Sequence, residues 1–324
     1  MGDDDTYEEY DAPETIAAIA AALSAIGIEP CPVVADAGFP ARLRDAQVDL
    51  VLNLAEGSGG RCREAVPAAI LEFLGLPYTG SDALTLAVTL DKAVARRLVS
   101  PEVPVARAVL VEDPGDDGAL ATLASPVVVK PNDEGSSKGI RLDALCHDLE
   151  AVRTGCRRLF ERTGRPVLVE QFLPGAEVTV AVRGSGRGAA VIGAMEIAPA
   201  AGRSEPFLYA LEVKRDFRRR VRYHVPPRLP AATLEAIGRH ALVAHRLLGC
   251  RDIARLDFRL DAAGVPHFLE CNPLPGLNPS SSDLVILWRA LHPGPTDAYP
   301  SLVQGLVREA ARRLALRLPS EADA

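Results

Sequence analysis

The strongest chemical signal in the sequence is the segment 253–272, in which charged and apolar residues alternate on either side of a short turn. Alternation places Arg255 and Asp257 on one face of a first strand, and a hairpin places Glu270 and Asn272 on the same face of the next. Two carboxylates and an amide beside one guanidinium offer the hard oxygen ligands that Mg²⁺ takes, with positions left for phosphate oxygens. The segment therefore predicts a metal and phosphate site, although an ion-paired hairpin face open to solvent fits the same pattern.

The register of this hairpin follows from the length of its loop. With a four-residue loop at 261–264, Leu260 pairs with Val265. Counting back along both strands then sets Arg255 directly opposite Glu270. This pairing is the geometric expectation that the structure tests most directly.

The turn 272–282 comes directly after the hairpin and leads into a predicted helix. The glycine in this turn, Gly276, allows a backbone N–H to approach a substrate oxygen. The hydroxyls of Ser281 and Ser282, near the helix start, can hold a carboxylate. Taken alone, the turn also fits an ordinary loop with N-cap serines, so its chemical meaning depends on the hairpin before it.

Two further segments could cover phosphates. The loop 131–139 follows a strand that ends in Lys130 and is rich in N–H and hydroxyl donors, but it lacks the GxxxxGK[ST] pattern of a Walker loop. The segment 214–222, within a predicted long loop at 199–230, carries six basic residues against one acid. Both fit solvated surface loops, and the basic segment also fits a mobile lid for a polyphosphate or, with one nearby aromatic residue, a nucleic-acid contact.

Composition limits the classes of partner. The chain has 324 residues, 48% of them hydrophobic and 24% charged, which is typical of a globular protein of about two domains. A net charge of −7 and 5% aromatic residues disfavour a nucleic-acid surface. The six cysteines lack zinc-ligand spacing, and no signal peptide or apolar run of membrane length is apparent. These features predict a cytoplasmic protein without membrane or nucleic-acid partners.

Helical and strand patterns alternate along the chain and predict three lobes of mixed α/β class. Residues 1–98 are expected to form a small α/β lobe with a parallel sheet, in which the apolar runs 31–35 and 49–55 are buried strands. Residues 99–174 and 175–324 are expected to form two α+β lobes. The hairpin with the candidate metal ligands belongs to the last of these.

Taken in order, these segments resemble the D-alanine–D-alanine ligase family of the ATP-grasp superfamily. The resemblance covers nearly the whole chain and rests on seven ordered motifs: Tyr78-Thr-Gly-Ser81, Leu90-Asp-Lys92, Val128-Val-Lys-Pro131, Glu134-Gly-Ser-Ser137, the segment from Val169 to Thr179, Ala254-Arg-Leu-Asp-Phe258, and Leu269-Glu-Cys-Asn-Pro-Leu-Pro-Gly276. It implies an ATP-grasp fold in which the second and third lobes clasp ATP. Family members are often dimers through the first lobe, which implies a homodimer here.

The resemblance also implies roles for residues of four kinds. The implied ligands of ATP are Lys92, Lys130, Glu170, Leu173, Glu177 and Lys214. The implied ligands of two Mg²⁺ ions, or of Mn²⁺ in their place, are Asp257, Glu270 and Asn272. The implied catalytic groups are Arg255, Gly276, Lys214 and Ser136. The implied contacts with amino-acid substrates are Glu56, Arg61, Arg63, Arg215, Ser281 and Ser282.

The implied reaction is the ADP-forming joining of two amino acids. A carboxylate is a poor acyl donor because its oxygen leaves badly. Transfer of the γ-phosphoryl group of ATP converts it to an acyl phosphate, with Mg²⁺ and lysines neutralising charge. An amine then attacks the activated carbonyl, while Arg255 and the Gly276 N–H stabilise the oxyanion and a lid excludes water.

The first-substrate side departs from the family pattern. No glycine-rich N-terminal strand loop precedes the first helix, Glu56 stands where the family has a histidine, and Arg215 stands where it has a tyrosine. These departures predict a different first substrate, with an extra carboxylate met by Arg61, Arg63 or Arg215. Two alternatives stay open: an authentic D-alanine–D-alanine ligase with a rebuilt site, and a non-catalytic nucleotide-binding regulatory protein.

Overall fold

The computed structural model describes residues 5, 8–115, 118–202 and 206–319. Its α-helices are α1 Pro13–Ser24, α2 Phe39–Ala46, α3 Ala65–Phe73, α4 Ala83–Leu90, α5 Lys92–Val99, α6 Leu149–Thr163, α7 Leu211–Arg215, α8 Phe217–Arg220, α9 Ala231–Leu247, α10 Asp283–Leu291 and α11 Tyr299–Leu314. Its strands are β1 Ala108–Val111, β2 Val127–Pro131, β3 Leu145–Cys146, β4 Val167–Gln171, β5 Glu177–Arg183, β6 Ala190–Pro199, β7 Val221–His224, β8 Ile253–Leu260 and β9 Pro266–Asn272.

Two antiparallel sheets dominate the architecture. One has four strands in the order β1-β4-β2-β3, and the other has five in the order β7-β6-β5-β8-β9. Helix α6 packs on the first sheet and helix α9 on the second, so a helix covers one face of each sheet and shields its apolar side chains from water. Within the described residues, no helix combines the length and apolarity that a membrane crossing requires.

Strand β8 shows how burial orients the charged residues of the hairpin. Ala254, Leu256 and Phe258 are fully buried in the core that α9 covers. Because successive side chains of a strand point to opposite faces, this burial turns Arg255 and Asp257 away from α9 and into a cavity between the sheets. The predicted division of the strand into an apolar and a charged face is confirmed.

The register of β8 and β9 differs from the predicted one. Arg255 pairs with Asn272 and Asp257 pairs with Glu270, so the prediction that Arg255 lies opposite Glu270 is wrong. The loop is one residue longer than predicted, and a β-bulge at Leu269 adds a second one-residue shift. A shift of one residue reverses every face of a strand, but two such shifts restore it. The charged side chains therefore still converge on one face.

The N-terminal part does not form the predicted strands. The runs 31–35 and 49–55 lie outside any strand, and the parallel pairing in the described residues of this part is an isolated bridge between Val51 and Tyr78. Pro32 removes a backbone donor from the first run and so disfavours pairing there. Among the described residues, the backbone–backbone hydrogen bonds of the second run are those of that bridge.

The predicted loop at 199–230 is more ordered than expected. It contains α7, α8 and β7, and β7 pairs with the end of β6. Its apolar residues Ala210, Val213 and Val221 pack on Ile197 as a small buried cluster. Burial of this cluster supplies the free energy that orders a segment whose charge run alone predicts solvent exposure.

A buried histidine in α9 makes stability depend on pH. His245 is fully buried, neither ring nitrogen has a hydrogen-bond partner in the described structure, and burial lowers its pKa to about 4. Between that value and the ordinary 6.5, the unfolded chain binds a proton that the folded chain does not, so stability falls as pH falls through this window. We expect a loss on the order of 2 kcal/mol in the free energy of unfolding from pH 7 to pH 5.

Chemical denaturation at the two pH values measures this effect. His245→Leu removes the titrating group and is expected to flatten the dependence, while His147→Leu, at an exposed position, should leave it unchanged. Equal pH slopes for wild type and His245→Leu would contradict the assignment.

Candidate active site

Two cavities adjoin at the charged face of the five-stranded sheet. The inter-sheet cavity, of about 830 Å³, is lined by residues of β2, β4, β5 and β8. The N-terminal cavity, of about 1470 Å³, is lined by residues 8–12 and by residues of the turn 272–282. Five residues line both cavities and are here named the junction: Ser136, Lys214, Arg255, Glu270 and Asp283. Ligands that occupy the two cavities meet at the junction.

The candidate metal ligands converge at one side of the junction. Asp257 lies across the hairpin from Glu270. The Asn272 Nδ2 donates to Asp257 Oδ2 at 3.2 Å, and Thr179 Oγ1 donates to Asp257 Oδ1 at 2.5 Å. Arg255 Nη2 lies 3.0 Å from Asp257 Oδ2. The structure therefore brings the three predicted ligands and the predicted oxyanion arginine together.

This donor set fits one kind of metal site. Within the described residues, no group of three or more His, Cys, Asp or Glu side chains is arranged to hold an ion. Two carboxylates and an amide instead fit a hard divalent ion that completes its coordination with phosphate oxygens and water. The residues present are therefore suited to Mg²⁺ that arrives with a phosphorylated ligand.

Neighbouring cations control the charge of Glu270. Although burial opposes ionisation, Lys92 and Lys130 lower the pKa of Glu270 to about 2. The Lys92 Nζ lies 3.3 Å from Glu270 Oε2. By contrast, burial raises the pKa of Asp257 in spite of Arg255. The site thus holds an excess of positive charge on the Glu270 side, where an anionic ligand is stabilised.

The position of Lys92 follows from a break between two helices. Helices α4 and α5 are separate because Asp91 stands between them, and its carboxylate caps α5 by accepting a hydrogen bond from the Val94 N–H at 2.9 Å. Lys92 is the first residue of α5, and its N–H donates to Asn132 O at 2.9 Å. This contact ties the start of α5 to the loop 131–139.

At the inner end of the inter-sheet cavity, Lys130 and Glu170 form a buried ion pair. The Lys130 Nζ lies 2.6 Å from Glu170 Oε2, and Arg96 also pairs with this carboxylate. Burial disfavours the ionised carboxylate, but the two cations more than offset it and lower the pKa of Glu170. Lys130 is on β2 and Glu170 is on β4. The two side chains come together because these strands pair, with Val128 directly opposite Glu170.

A second buried ion pair lies across the same cavity. Arg259 Nη1 lies 2.8 Å from Glu177 Oε2, and Arg259 Nε donates to Leu173 O at 2.5 Å. The guanidinium also stacks over the Phe172 ring at 4.5 Å. Burial raises the pKa of Glu177 to about 7 even with Arg259 beside it. Arg259 therefore orients both the carboxylate and the backbone carbonyl that the sequence predicts as ligands.

The lid segment and the loop 131–139 close the cavity together. Lys214, in α7, lines both cavities, and burial lowers its pKa. Ser136 adopts a left-handed backbone conformation, with φ of 50°. The next residue, Ser137, donates through Oγ to Tyr209 O at 2.9 Å. This bond links the loop to the segment that carries Lys214.

The turn after the hairpin brings its glycine against a serine. A Cβ atom on Gly276 would lie 2.9 Å from Ser282 Oγ, so only glycine leaves this hydroxyl its place. That Oγ accepts a hydrogen bond from the Asn278 N–H at 2.9 Å. Ser281 and Ser282 both line the N-terminal cavity at the start of α10. The predicted grouping of a glycine N–H with two hydroxyls thus exists in the structure.

The three arginines predicted to meet an extra substrate carboxylate bind acidic residues of the chain itself. Arg61 pairs with the aspartate that caps α5, and its side chain is 67% exposed. Arg63 Nη2 lies 2.8 Å from Glu9 Oε1, and Arg215 Nε donates to Glu8 Oε1 at 2.7 Å. Of the three, Arg215 lines the N-terminal cavity, whereas Arg61 and Arg63 line neither cavity.

Acidic side chains instead line the N-terminal cavity. Glu56 and Glu64 share a hydrogen bond, and burial raises the pKa of Glu56 well above its ordinary value and that of Glu64 to about 7. Burial also raises the pKa of Asp11 nearby. The structure therefore places the predicted residue Glu56 at the cavity in a carboxyl pair.

Comparison with known proteins identifies the family. A family model described as the D-ala D-ala ligase C-terminus matches residues 109–307, more than half of the chain and nearly all of the two sheets. The chain belongs to the D-alanine–D-alanine ligase family. The match contains Lys130, Glu170 and the whole β8–β9 hairpin, so the family model and the cavity geometry concern the same part of the protein.

Two relatives and one solved structure extend this result. The chain is 35% identical over 276 residues to a D-alanine–D-alanine ligase of Anaeromyxobacter sp. (strain Fw109-5), covering 82% of this chain and 83% of the relative. It is 36% identical over 282 residues to that of Gluconobacter oxydans (strain 621H), covering 84% of each. It also shares the fold of the D-alanine–D-alanine ligase from Bacillus anthracis complexed with ATP, at a TM-score of 0.75, 22% identity, and coverage of 96% and 95%.

As a D-alanine–D-alanine ligase family member, the chain has cavity residues that its sequence alone did not reveal. Glu8 and Glu9 lie in an acidic stretch with no periodic pattern, and only the structure brings them to Arg215 and Arg63. Asp283 directly follows the two predicted serines, yet nothing in its spacing distinguishes it from a residue in the first turn of a helix. Its contact with Arg255 is what marks it as a residue of the site, and this contact can be seen only once the chain is folded.

Proposed function

We propose that this protein is an ATP-dependent ligase that forms an amide bond between two amino acids through an acyl phosphate. The observation that carries the proposal is the junction. A nucleotide in the inter-sheet cavity and a carboxylate in the N-terminal cavity would meet beside Lys214, Arg255 and Glu270, which line both cavities. The names of the curated relatives, D-alanine–D-alanine ligases, support the same reaction class.

ATP is expected to lie between the two sheets. Lys130 and Glu170 are placed at the inner end of the cavity, where Glu170 and the backbone at Leu173 would read the adenine edge. Glu177 would accept hydrogen bonds from the ribose. The solved relative complexed with ATP shares this fold, which supports the same placement. Lys92 and Lys214 would then face the phosphates from the junction side.

Mg²⁺ fits the hairpin face of this site. Asp257, Glu270 and Asn272 would hold it, and when bound it would draw charge from the phosphates during phosphoryl transfer. Groups of the chain itself would stabilise the oxyanion: Arg255 and the Gly276 N–H would face the carbonyl oxygen that becomes negative when the amine attacks. Ser136 would hold the loop 131–139 over the phosphates, and the lid would exclude water from the acyl phosphate.

The identity of the two amino acids is a separate proposal. The names of the relatives favour D-alanine for both. Arg61, Arg63 and Arg215 are paired with acidic residues of the chain. Their positive charge is therefore already neutralised, which disfavours a substrate with an extra carboxylate. The acidic pair Glu56 and Glu64 supports recognition of an ammonium group at the N-terminal cavity instead.

An ADP-release screen over all pairs of D- and L-amino acids tests the function, followed by mass analysis of the product. A dipeptide that appears only with ATP and a divalent ion is the expected result. ATP binding without ADP release for any pair would overturn the proposal and favour a regulatory nucleotide-binding protein.

The burial of Glu177 makes ATP binding depend on pH. Its pKa is about 7, so the carboxylate form, which accepts hydrogen bonds, grows as pH rises through neutrality. We expect the Kd for ATP at constant free Mg²⁺ to be about tenfold higher at pH 6 than at pH 8. Glu177→Gln should retain only the dependence that comes from the titration of ATP itself, so the difference between the two proteins isolates the contribution of Glu177. A parallel slope for both proteins in calorimetry would contradict this role.

Organisation and assembly complete the proposal. We place lobe boundaries near residues 98 and 174, which lie at the end of α5 and just before β5. A homodimer through the first lobe is supported by exposed apolar side chains on α3 and α4, where Phe73 is 90% and Leu84 is 74% exposed. A molar mass in solution equal to the 34.4 kDa of one chain would exclude the dimer.

A further inference from the structure

Four of the five junction residues have a role in the proposed reaction, and the fifth does not. Ser136, Lys214, Arg255 and Glu270 are all accounted for by phosphate, metal or oxyanion contacts. Asp283 also lines both cavities but has no role in those steps. It is only 3% exposed, so its carboxylate faces the reacting groups rather than bulk solvent. A buried acid at this position needs a chemical explanation.

The surroundings of Asp283 are rich in donors but loosely bonded. Its Oδ2 lies 3.4 Å from Arg255 Nη1, and its Oδ1 accepts from Tyr209 OH at 3.4 Å. Tyr223 OH lies 3.0 Å from Tyr209 OH and also hydrogen-bonds the Asp283 carboxylate, and Lys214 faces the same space from α7. The contacts with Arg255 and Tyr209 are at the long end of hydrogen-bond geometry, and a carboxylate offers about four acceptor positions. The carboxylate therefore keeps capacity for a further, stronger donor.

The turn before Asp283 indicates which donor that is. Ser281 and Ser282 line the N-terminal cavity, and Asp283 is the next residue. The family resemblance implies that the two serines contact an amino-acid substrate, and we take this to be the acceptor, because their hydroxyls near the helix start can hold its carboxylate. In an α-amino acid the ammonium and the carboxylate are attached to the same carbon. An acceptor held by its carboxylate at these serines thus brings its ammonium next to the first residue of α10.

We propose that Asp283 binds the ammonium of the acceptor amino acid and takes one of its protons before the amine attacks. This inference rests on the proposed ligase function and adds a catalytic residue to it. An ammonium has no lone pair and cannot attack a carbonyl, so removal of a proton is a required step of amide formation. Of the two acidic residues at the junction, Glu270 is already assigned to the metal and is paired with Lys92. Asp283, whose contact with Arg255 is 3.4 Å long, has no other assigned role, so we assign this step to it.

The proton balance of the step closes. One proton of the ammonium passes to the Asp283 carboxylate, and the amine nitrogen forms a bond to the acyl carbon. Collapse of the tetrahedral intermediate breaks the bond between that carbon and the phosphate oxygen. The second proton of the nitrogen leaves with the phosphate as hydrogen phosphate. Asp283 then releases its proton to solvent when the products leave.

Hydroxylamine separates this role from a structural one. It is uncharged at neutral pH, so it attacks an acyl phosphate without prior loss of a proton. With the amino-acid pair that the ADP-release screen selects, Asp283→Asn is expected to lower dipeptide formation by about 100-fold or more. The same variant, given the same donor and hydroxylamine, should form the hydroxamate within about threefold of the wild-type rate.

Each outcome decides the matter. Parallel losses of dipeptide and hydroxamate would mean that Asp283 acts only by positioning Arg255, and dipeptide formation at the wild-type rate would mean that it has no role. Asp283→Ser provides the same comparison if the asparagine variant does not fold. Asp143→Asn, at a surface acid with a side chain 60% exposed that lines neither cavity, should change neither rate. If the wild type forms neither product, the ligase function itself fails, which is a different result.

Discussion

Asp257→Asn is expected to lower kcat for ADP release by about 1,000-fold. The carboxylate sits across the hairpin from Glu270 and contacts Thr179, Asn272 and Arg255. Asparagine keeps the size of the side chain but removes the charge that holds a divalent ion. Loss of metal contact in phosphoryl transfer costs about 4 kcal/mol of transition-state stabilisation, which corresponds to this factor.

The fold is expected to survive this substitution. Arg255 keeps its second partner, Asp283, and burial already disfavours the charged form of Asp257. Asp143→Asn, which breaks a surface pair with Arg158 outside both cavities, is the matched control and should stay within about twofold. Thermal unfolding checks stability, and ADP release at saturating ATP checks rate. A rate for Asp257→Asn within tenfold of wild type would mean that the hairpin face holds no catalytic metal.

The hairpin shows what local pattern can and cannot predict. Period-2 alternation depends only on chain geometry, so the faces of Arg255 and Asp257 were predictable. The pairing was not, because an extra loop residue and the bulge at Leu269 each shift the register by one. Neither the longer loop nor the bulge corresponds to a residue pattern that can be recognised in the sequence. The convergence of Glu270 and Asn272 with Asp257 was predicted correctly because the two one-residue shifts add up to two residues, which returns each side chain to the predicted face.

The failures in the N-terminal part have a different cause. Apolar runs predict burial, but a strand also needs a neighbour with free backbone groups. The run 31–35 contains Pro32 and finds no such neighbour within the described residues, whereas 49–55 finds one only at Tyr78. Pattern alone cannot supply this information, because pairing partners are distant in sequence.

Contacts across the cleft were the least predictable feature of the site. Glu8 and Arg215 are separated by 207 residues, and Asp257 and Thr179 by 78. The resemblance to a family predicts which residues would hold ATP, because the motifs that carry them are local. It did not reveal that acidic residues of the chain neutralise Arg63 and Arg215, because that depends on how separate segments fold together.

Arg255→Lys is expected to lower kcat by about 100-fold while changing the KM for ATP by less than about threefold. The arginine bridges two buried carboxylates, with Nη2 3.0 Å from Asp257 Oδ2 and Nη1 3.4 Å from Asp283 Oδ2. A lysine keeps the charge but offers a single ammonium, which cannot span both acids and still face a developing oxyanion. The loss therefore falls on the transition state rather than on nucleotide binding.

Arg259→Lys gives the opposite pattern and serves as the matched control. It lies four residues further along the same face of β8, but it holds Glu177 and the Leu173 carbonyl at the nucleotide end. Its loss should raise the KM for ATP about tenfold and leave kcat within about fivefold. Steady-state kinetics on the two variants thus tests whether one strand divides its charged face between binding and chemistry. If both variants changed KM and kcat together, the charged face of β8 would act as one structural unit. That result would contradict the oxyanion role of Arg255.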